Sequence, residues 1–307
     1  MSEALSTRHE SRIATRAAQR TRCRDRQQRG RGGSCLDRVS PSGARSHLEC
    51  YAWIVKGYIC VFRHAARPAS HVRKTAASGH PVVAQFLDRY LESESYLDWG
   101  DDPAFFSAQH FLGDLRLATW GVCRPNVRAH AEIGDFIVFF CAKPEHTQQC
   151  THYYYIGIGT IIDKITREQL WNDEAFAPYR QFLNVLARPV GDQLERFEYC
   201  YPGHRQDWQK RLRNYILFGG SSTFFNVARP LRVATYSNYL PERWESSESK
   251  AVAQLERILF PDNSSRRRLR TSHSRHAHSH LNLRRSQADA DLPALRAELL
   301  ALARTAG

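Results

Sequence analysis

Two stretches dominate what this chain can fold into: DFIVFF at 135–140 and YYYIGIGTII at 153–162. Both are dense in β-branched and aromatic residues, and the polar run 142–152, rich in Lys, Pro, Gln and His, separates them. Residues of this kind favour a pleated, half-buried surface, so the pattern predicts two neighbouring strands at the centre of a domain. Gly134 and Asp135, just before the first stretch, form a turn signal. Gly157 and Gly159 alternate with isoleucines in the second, which predicts a bulge or a close approach of another backbone. A strand bent in that way suits a small barrel-like sheet.

The flanking chain supplies the rest of one mixed domain over residues 51–261. YAWIVKGYICVF at 51–62 reads as a further buried strand. The apolar spacing of Val82, Phe86, Leu87, Tyr90 and Leu91 predicts a helix over 81–97. DWGDDP at 98–103 is a turn cluster, and 104–111 reads as a short helix. Thr166 with Gln169 three residues on is a capping box, which opens a helix at TREQLW. Residues 214–218 form a short apolar strand before the turn GGSS. Hydrophobic residues make up 42% of the chain, enough for a core of that extent.

The formal net charge of +13 is unevenly placed. Residues 1–50 hold 11 Lys+Arg against 5 Asp+Glu, and residues 262–307 hold 9 against 4. Residues 51–261 hold 24 against 22. The domain is thus nearly neutral between basic ends, whereas a fold that grips nucleic acid mainly by phosphate neutralisation carries the charge on its own face. Composition predicts a disordered basic tract at 1–50, a low-complexity Arg/His/Ser linker at 262–288, and a short amphipathic helix within 289–307 with Leu292, Leu295, Leu299 and Leu302 on one face.

Eight cysteines without CxxC spacing point to reduced thiols. No apolar leader follows the Arg-rich start, and no apolar run reaches membrane-spanning length, so a cytoplasmic protein with no membrane partner is expected. No dinucleotide, P-loop or nucleophile-elbow motif is present; the Gly157-Ile-Gly159 pair lies inside a strand. No cofactor is expected. His273, His276, His278 and His280 have metal-binding chemistry but stand in a low-complexity tract, so no metal site is assigned. Arg266 to Arg270 reads either as a phosphate grip or as a solvated run. Asp98, Asp101 and Asp102 read either as a hard-cation cluster or as turn and cap residues. Eight cysteines and 14 histidines allow many Cys–His pairs, none of them placed by spacing.

WGVCRPNVR at 120–128 gathers an aromatic plane, two guanidinium groups, a thiol and a proline in one short segment. Arg forks onto phosphates and base edges, and Trp stacks on bases. The competing reading makes Trp120 a core ring and pairs Arg128 with Asp135 or Glu132.

The segment LRLATWGVCRPNVRAHAEIGDFIVFF at 115–140 resembles the second nucleotide modification associated domain family, in which Leu-Ala-x-Cys-Lys-Pro-x-Ile-Arg precedes Ala-x-x-Gly-Asp-Trp. Leu117, Ala118, Pro125, Arg128, Gly134 and Asp135 fit that pattern. Arg124 stands where the family has Lys, Phe136 stands where it has Trp, and the stretch 81–111 is longer. YYYIGIGTIIDKITREQLWND at 153–173 and the strand 215–218 with Gly219 and Gly220 extend the likeness over about residues 51–244. A looser likeness is to PUA-like barrels. The resemblance implies an α+β domain with a small bent PUA-like sheet and flanking helices. It also implies a role in bacterial or phage systems that modify or defend nucleic acid, with a nucleotide or nucleic acid as partner. On this reading Arg124 and Arg128 supply positive forks, Trp120 a stacking plane, and Asp135 an orienting bond. The alternatives are an enzyme acting on a base or sugar, using Cys123, Asp101 or Asp135, and a protein-interaction module whose basic tails contact nucleic acid.

Overall fold

The computed structural model describes residues 56–63, 102–145, 147, 149–196, 208–237, 243–244, 253–255 and 292–305. All belong to one unit, Lys56–Gly307. The expectations for 1–50, for the helix at 81–97, for Asp98 and Asp101, and for the arginines and histidines of 266–280 lie outside these residues.

In chain order the elements are β1 (Gly57–Arg63), α1 (Phe105–Ser107) with its π-helical continuation Ala108–Leu112, β2 (Thr119–Trp120), α2 (Pro125–His130), β3 (Phe136–Glu145) and β4 (Cys150–Ile165). They continue with α3 (Arg167–Asn172), β5 (Ala187–Val190), β6 (Gln193–Arg196), α4 (Trp208–Arg211), β7 (Tyr215–Phe218), β8 (Phe224–Phe225), β9 (Leu231–Ser237), β10 (Arg243–Trp244) and α5 (Leu292–Thr305). Eight strands form one mixed sheet along the path β1-β3-β4-β7-β2, with β8 and β9 also on β4 and β10 on β9. β1 and β3 are parallel, and the other pairs in this sheet are antiparallel. The fold is α+β, as the strand and helix patterns predict. Among the described residues the sheet is an open path rather than a closed barrel.

The central strands are those the sequence predicts, but β4 is longer and does more. It has 16 residues, and over residues 150–160 it pairs with β3 along one edge. The other edge is shared by β9, β8 and β7 in succession. A strand serving three partners in turn has to bend. The register shifts opposite Phe139/Phe140 and between Ile161 and Asp163 leave Ile156 and Ile162 as extra residues on β4. Gly157 adopts φ +139, and a Cβ there would run into the carbonyl oxygen of Phe224. The close approach expected of a strand glycine is therefore the seat of β8.

One face of the sheet buries an aromatic cluster. The Phe139 ring meets Trp120 at 5.5 Å, Phe218 at 5.6 Å, Phe225 at 6.0 Å and Phe105 at 6.3 Å between centroids. The angles are steep, as ring quadrupoles favour. α1, the expected short helix, contributes Phe105 to this cluster. The capping box at α3 forms as the sequence predicts: Gln169 N–H donates to Thr166 Oγ1 at 3.2 Å and Thr166 N–H to Gln169 Oε1 at 2.9 Å.

α5 packs against β4 and β8. Tyr155 Oη donates to the carbonyl of Leu299 at 2.8 Å, and Leu299, Leu300, Leu302 and Ala303 are buried. The terminal helix, predicted only as an amphipathic element, is part of the fold. Its buried face includes Leu299 and Leu302, as the leucine spacing predicts, together with Leu300 and Ala303.

Candidate functional site

The segment 120–128 leaves β2, turns, and enters α2. Asp102 holds that turn from below. Its Oδ1 accepts from Gly121 N–H at 2.7 Å, and its Oδ2 from Val122 N–H at 2.9 Å and from Cys123 N–H. Three consecutive amides thus converge on one carboxylate that is 6% exposed. Asn184 Nδ2 adds a fourth bond to Asp102 Oδ1 at 3.1 Å. Asn184 also donates to Thr119 O, and its Oδ1 accepts from Tyr215 Oη at 2.7 Å and Thr119 Oγ1 at 3.1 Å. Buried networks of this sort fix a single arrangement of the groups they join.

Two arginines complete the network. Arg128 is wholly buried, and all five of its N–H groups meet main-chain carbonyls: Nε on Cys123, Nη1 on Arg213 and Asn214, Nη2 on Val122 and Arg211. Arg167, also wholly buried, donates to the carbonyls of Val185, Gly121 and Asn184 and lies 4.0 Å over the Tyr215 ring. Its Nη1 and the Nε of Arg211 are buried without a hydrogen-bond partner. Burial pulls the Arg128 guanidinium down to about 10 and the Arg167 guanidinium down to about 9. Both remain cations at neutral pH, beside the single carboxylate of Asp102.

Main-chain strain gathers at the same place. Four non-glycine residues among those described have φ in the left-handed range: Arg124 (+50), Gln149 (+49), Leu186 (+66) and Asn214 (+57). Arg124 adjoins the amides held by Asp102. Leu186 follows the carbonyl that Arg167 grips, and Asn214 supplies a carbonyl to Arg128. Such conformations cost about 1–3 kcal/mol each and persist where the surroundings enforce them.

The structure separates the residues the sequence brought together. Trp120 is 1% exposed and edge-on to Phe139, so it is a core ring and offers no stacking plane. Arg128 fits neither sequence reading: its fork is filled by main-chain carbonyls instead of a ligand, Asp135 or Glu132. Asp135 is buried apart from this turn. It accepts from Lys56 N–H at 2.8 Å and Glu132 N–H at 2.9 Å, tying β1 to the Gly134 turn, where φ is +91. Burial raises its carboxyl above the ordinary range. Arg124 alone of the four keeps a half-exposed position on the turn. Of the nucleophile candidates, Cys123 has its thiol pushed well above the ordinary range by burial and then by Asp102, which disfavours thiolate chemistry. No group of three or more His, Cys, Asp or Glu suited to a metal ion occurs among the described residues.

Thr119, Arg167, Asn184 and Tyr215 belong to the network, yet nothing in their local sequence singles them out. Arg167 sits at the first position of a helix, where a solvated arginine is the ordinary expectation. Asp102 was visible only as one carboxylate of a turn cluster.

The positive groups near the turn come from two segments. Arg124 is half-exposed. On α4, Lys210 is exposed and Arg211 is half-buried with its Nη1 on Val122 O at 3.2 Å, and just past it Arg213 is exposed. Val122 and Leu186 pack against Trp208 and Leu212, which fixes α4 beside the turn. Comparison of the chain with protein-family models, curated proteins and solved structures found no match.

Proposed function

We propose that this unit recognises a nucleotide or nucleic acid through the turn Gly121–Arg124 and the cations of α4, as part of a bacterial or phage system that modifies or defends nucleic acid. The observation that carries the reading is the concentration of strain and buried charge under one turn. Arg124, Leu186 and Asn214 are held at positive φ around two buried guanidinium groups and a single carboxylate. Folds keep such arrangements where a surface has to be presented rigidly. What they present here is positive. Arg124, Lys210, Arg211 and Arg213 offer a phosphate several charge-assisted donors. The resemblance of 115–140 to a nucleotide modification associated family points the same way, and the bent mixed sheet is compatible with its PUA-like reading. Trp120 and Arg128 then act beneath the surface, shaping the turn, and Asp135 orders the neighbouring strand entry.

The test uses the full chain with labelled single- and double-stranded oligonucleotides, and mononucleotides as competitors, at about 50 and 200 mM salt. Arg124→Glu and the pair Lys210→Glu with Arg213→Glu each lower affinity by about tenfold, a charge-assisted contact or two in size. Binding that is salt-sensitive but unchanged in these variants assigns the contact to the basic ends of the chain and removes the turn from consideration.

A further inference from the structure

A second constellation lies at the far end of β4, apart from the Asp102 network. Cys150 and His152 are two residues apart on that strand and therefore share a face. Cys150 Sγ stands 3.6 Å from His152 Nε2. On β9, Thr235 is the residue directly opposite His152, and its Oγ1 lies 2.9 Å from His152 Nδ1. With Nδ1–H donated to the threonine hydroxyl, Nε2 carries the lone pair and faces the thiol. Thiol, base and orienting group, in that order and within reach, are what an activated cysteine needs. The Tyr154 ring borders the imidazole at 6.4 Å, and on β3 Lys143 and Glu145 are the residues paired with His152 and Cys150. The site adjoins the exposed turn residues Thr147 and Gln149, and Cys150 is 8% exposed.

Burial pushes the Cys60 thiol up to about 12 and raises that of Cys123 further, and Cys141 has no exposed surface. We propose that Cys150 is a reactive thiol, with His152 as its base and Thr235 as the orienting hydroxyl, and that it exchanges with small disulfides. In the exchange Cys150 Sγ gives its proton to His152 Nε2 and attacks one sulfur of the disulfide. The old S–S bond breaks as the new one forms. The departing half leaves as a thiolate and takes the proton from His152, so Cys150 is oxidised and one sulfur of the disulfide is reduced to a thiol. The site carries a covalent modification the nucleotide reading does not require, and it stands or falls independently of that reading.

The test is iodoacetamide labelling of the native full-length chain, with rates resolved for each cysteine by peptide mass mapping, and a parallel incubation with oxidised glutathione. Cys150 is expected to label faster than Cys60, Cys123 and Cys141, and to form the mixed disulfide with glutathione. His152→Gln lowers the Cys150 rate by at least about tenfold, and Thr235→Val by a few-fold, with Cys60 and Cys141 unchanged as reporters of the intact fold. A wild-type Cys150 that labels no faster than Cys141, or that forms no mixed disulfide with glutathione, overturns the proposal without recourse to either variant.

Discussion

At the scale of single residues, the molecule is governed by what its buried charges touch. Asp102 gathers three amides and an asparagine. Asp102→Ala leaves those donors buried and unpaired, a loss of about 3 kcal/mol or more, which urea unfolding would show as a lower midpoint. Arg124 tests the opposite case. Its left-handed φ of +50 suits glycine, and the strain of holding a side chain there is about 1 kcal/mol. Arg124→Gly is therefore expected to raise thermal stability while weakening nucleotide binding. A variant that gains stability with undiminished binding would show that the strain serves no ligand. The sequence of 120–128 expects Trp120 and Arg128 to face a ligand, and the structure buries both. Trp120 and Arg128 carry the chemistry of a binding loop, and only depth decides whether that chemistry faces outward. Depth here is set for Arg128 by Arg211 and Asn214 and for Trp120 by its pairing with Ile216, all more than 80 residues away in the chain, which no local pattern records.

Elements follow their patterns more closely. β3, β4, β7 and the capped α3 form where periodicity, turn chemistry and capping predict, because those signals are local. The pairing of β4 with β7, β8 and β9 was not legible, since one strand pattern does not name its partners. Gly157 was the one trace of it. Gly157→Ala has to displace β8 and adopt φ +139, and a loss of about 3 kcal/mol or failure to fold is expected in thermal melts. A similar argument applies to α5, whose leucine stripe predicts a face but not what the face covers. Leu302 is 4% exposed. Leu302→Asp should release the helix, and amide exchange at 299–304 would accelerate while β3 and β4 stay protected.

Across the whole molecule, five buried thiols and phenols that resist losing a proton outnumber the two guanidinium groups, Arg128 and Arg167, whose lowered values act in the opposite sense above pH 9. Burial raises Cys60 from 9.0 to about 12 and Tyr58 from 10.0 to about 12, and lifts Cys123, Tyr155 and Tyr215 further. Each releases its proton earlier in the unfolded chain. Between the ordinary and the raised values the unfolded state holds fewer protons, so stability falls as pH rises. The decline is expected to begin near pH 9 with the thiols and to steepen above 10 with the tyrosines. Urea midpoints at pH 8, 10 and 11 measure it, and a midpoint that holds steady over that range contradicts the assignment. No helix among the described residues is long and apolar enough to cross a membrane.

The carbonyl cage around Arg128 has a consequence for kinship. Every acceptor in it is main chain, so the cage is blind to which side chains the caging residues carry. Lysine, with three donors on a point charge, leaves part of it unfilled. A relative would keep the arginine, and no matched pair of substitutions would mark the contact. Descent from a common ancestor would show here as one solitary invariant letter.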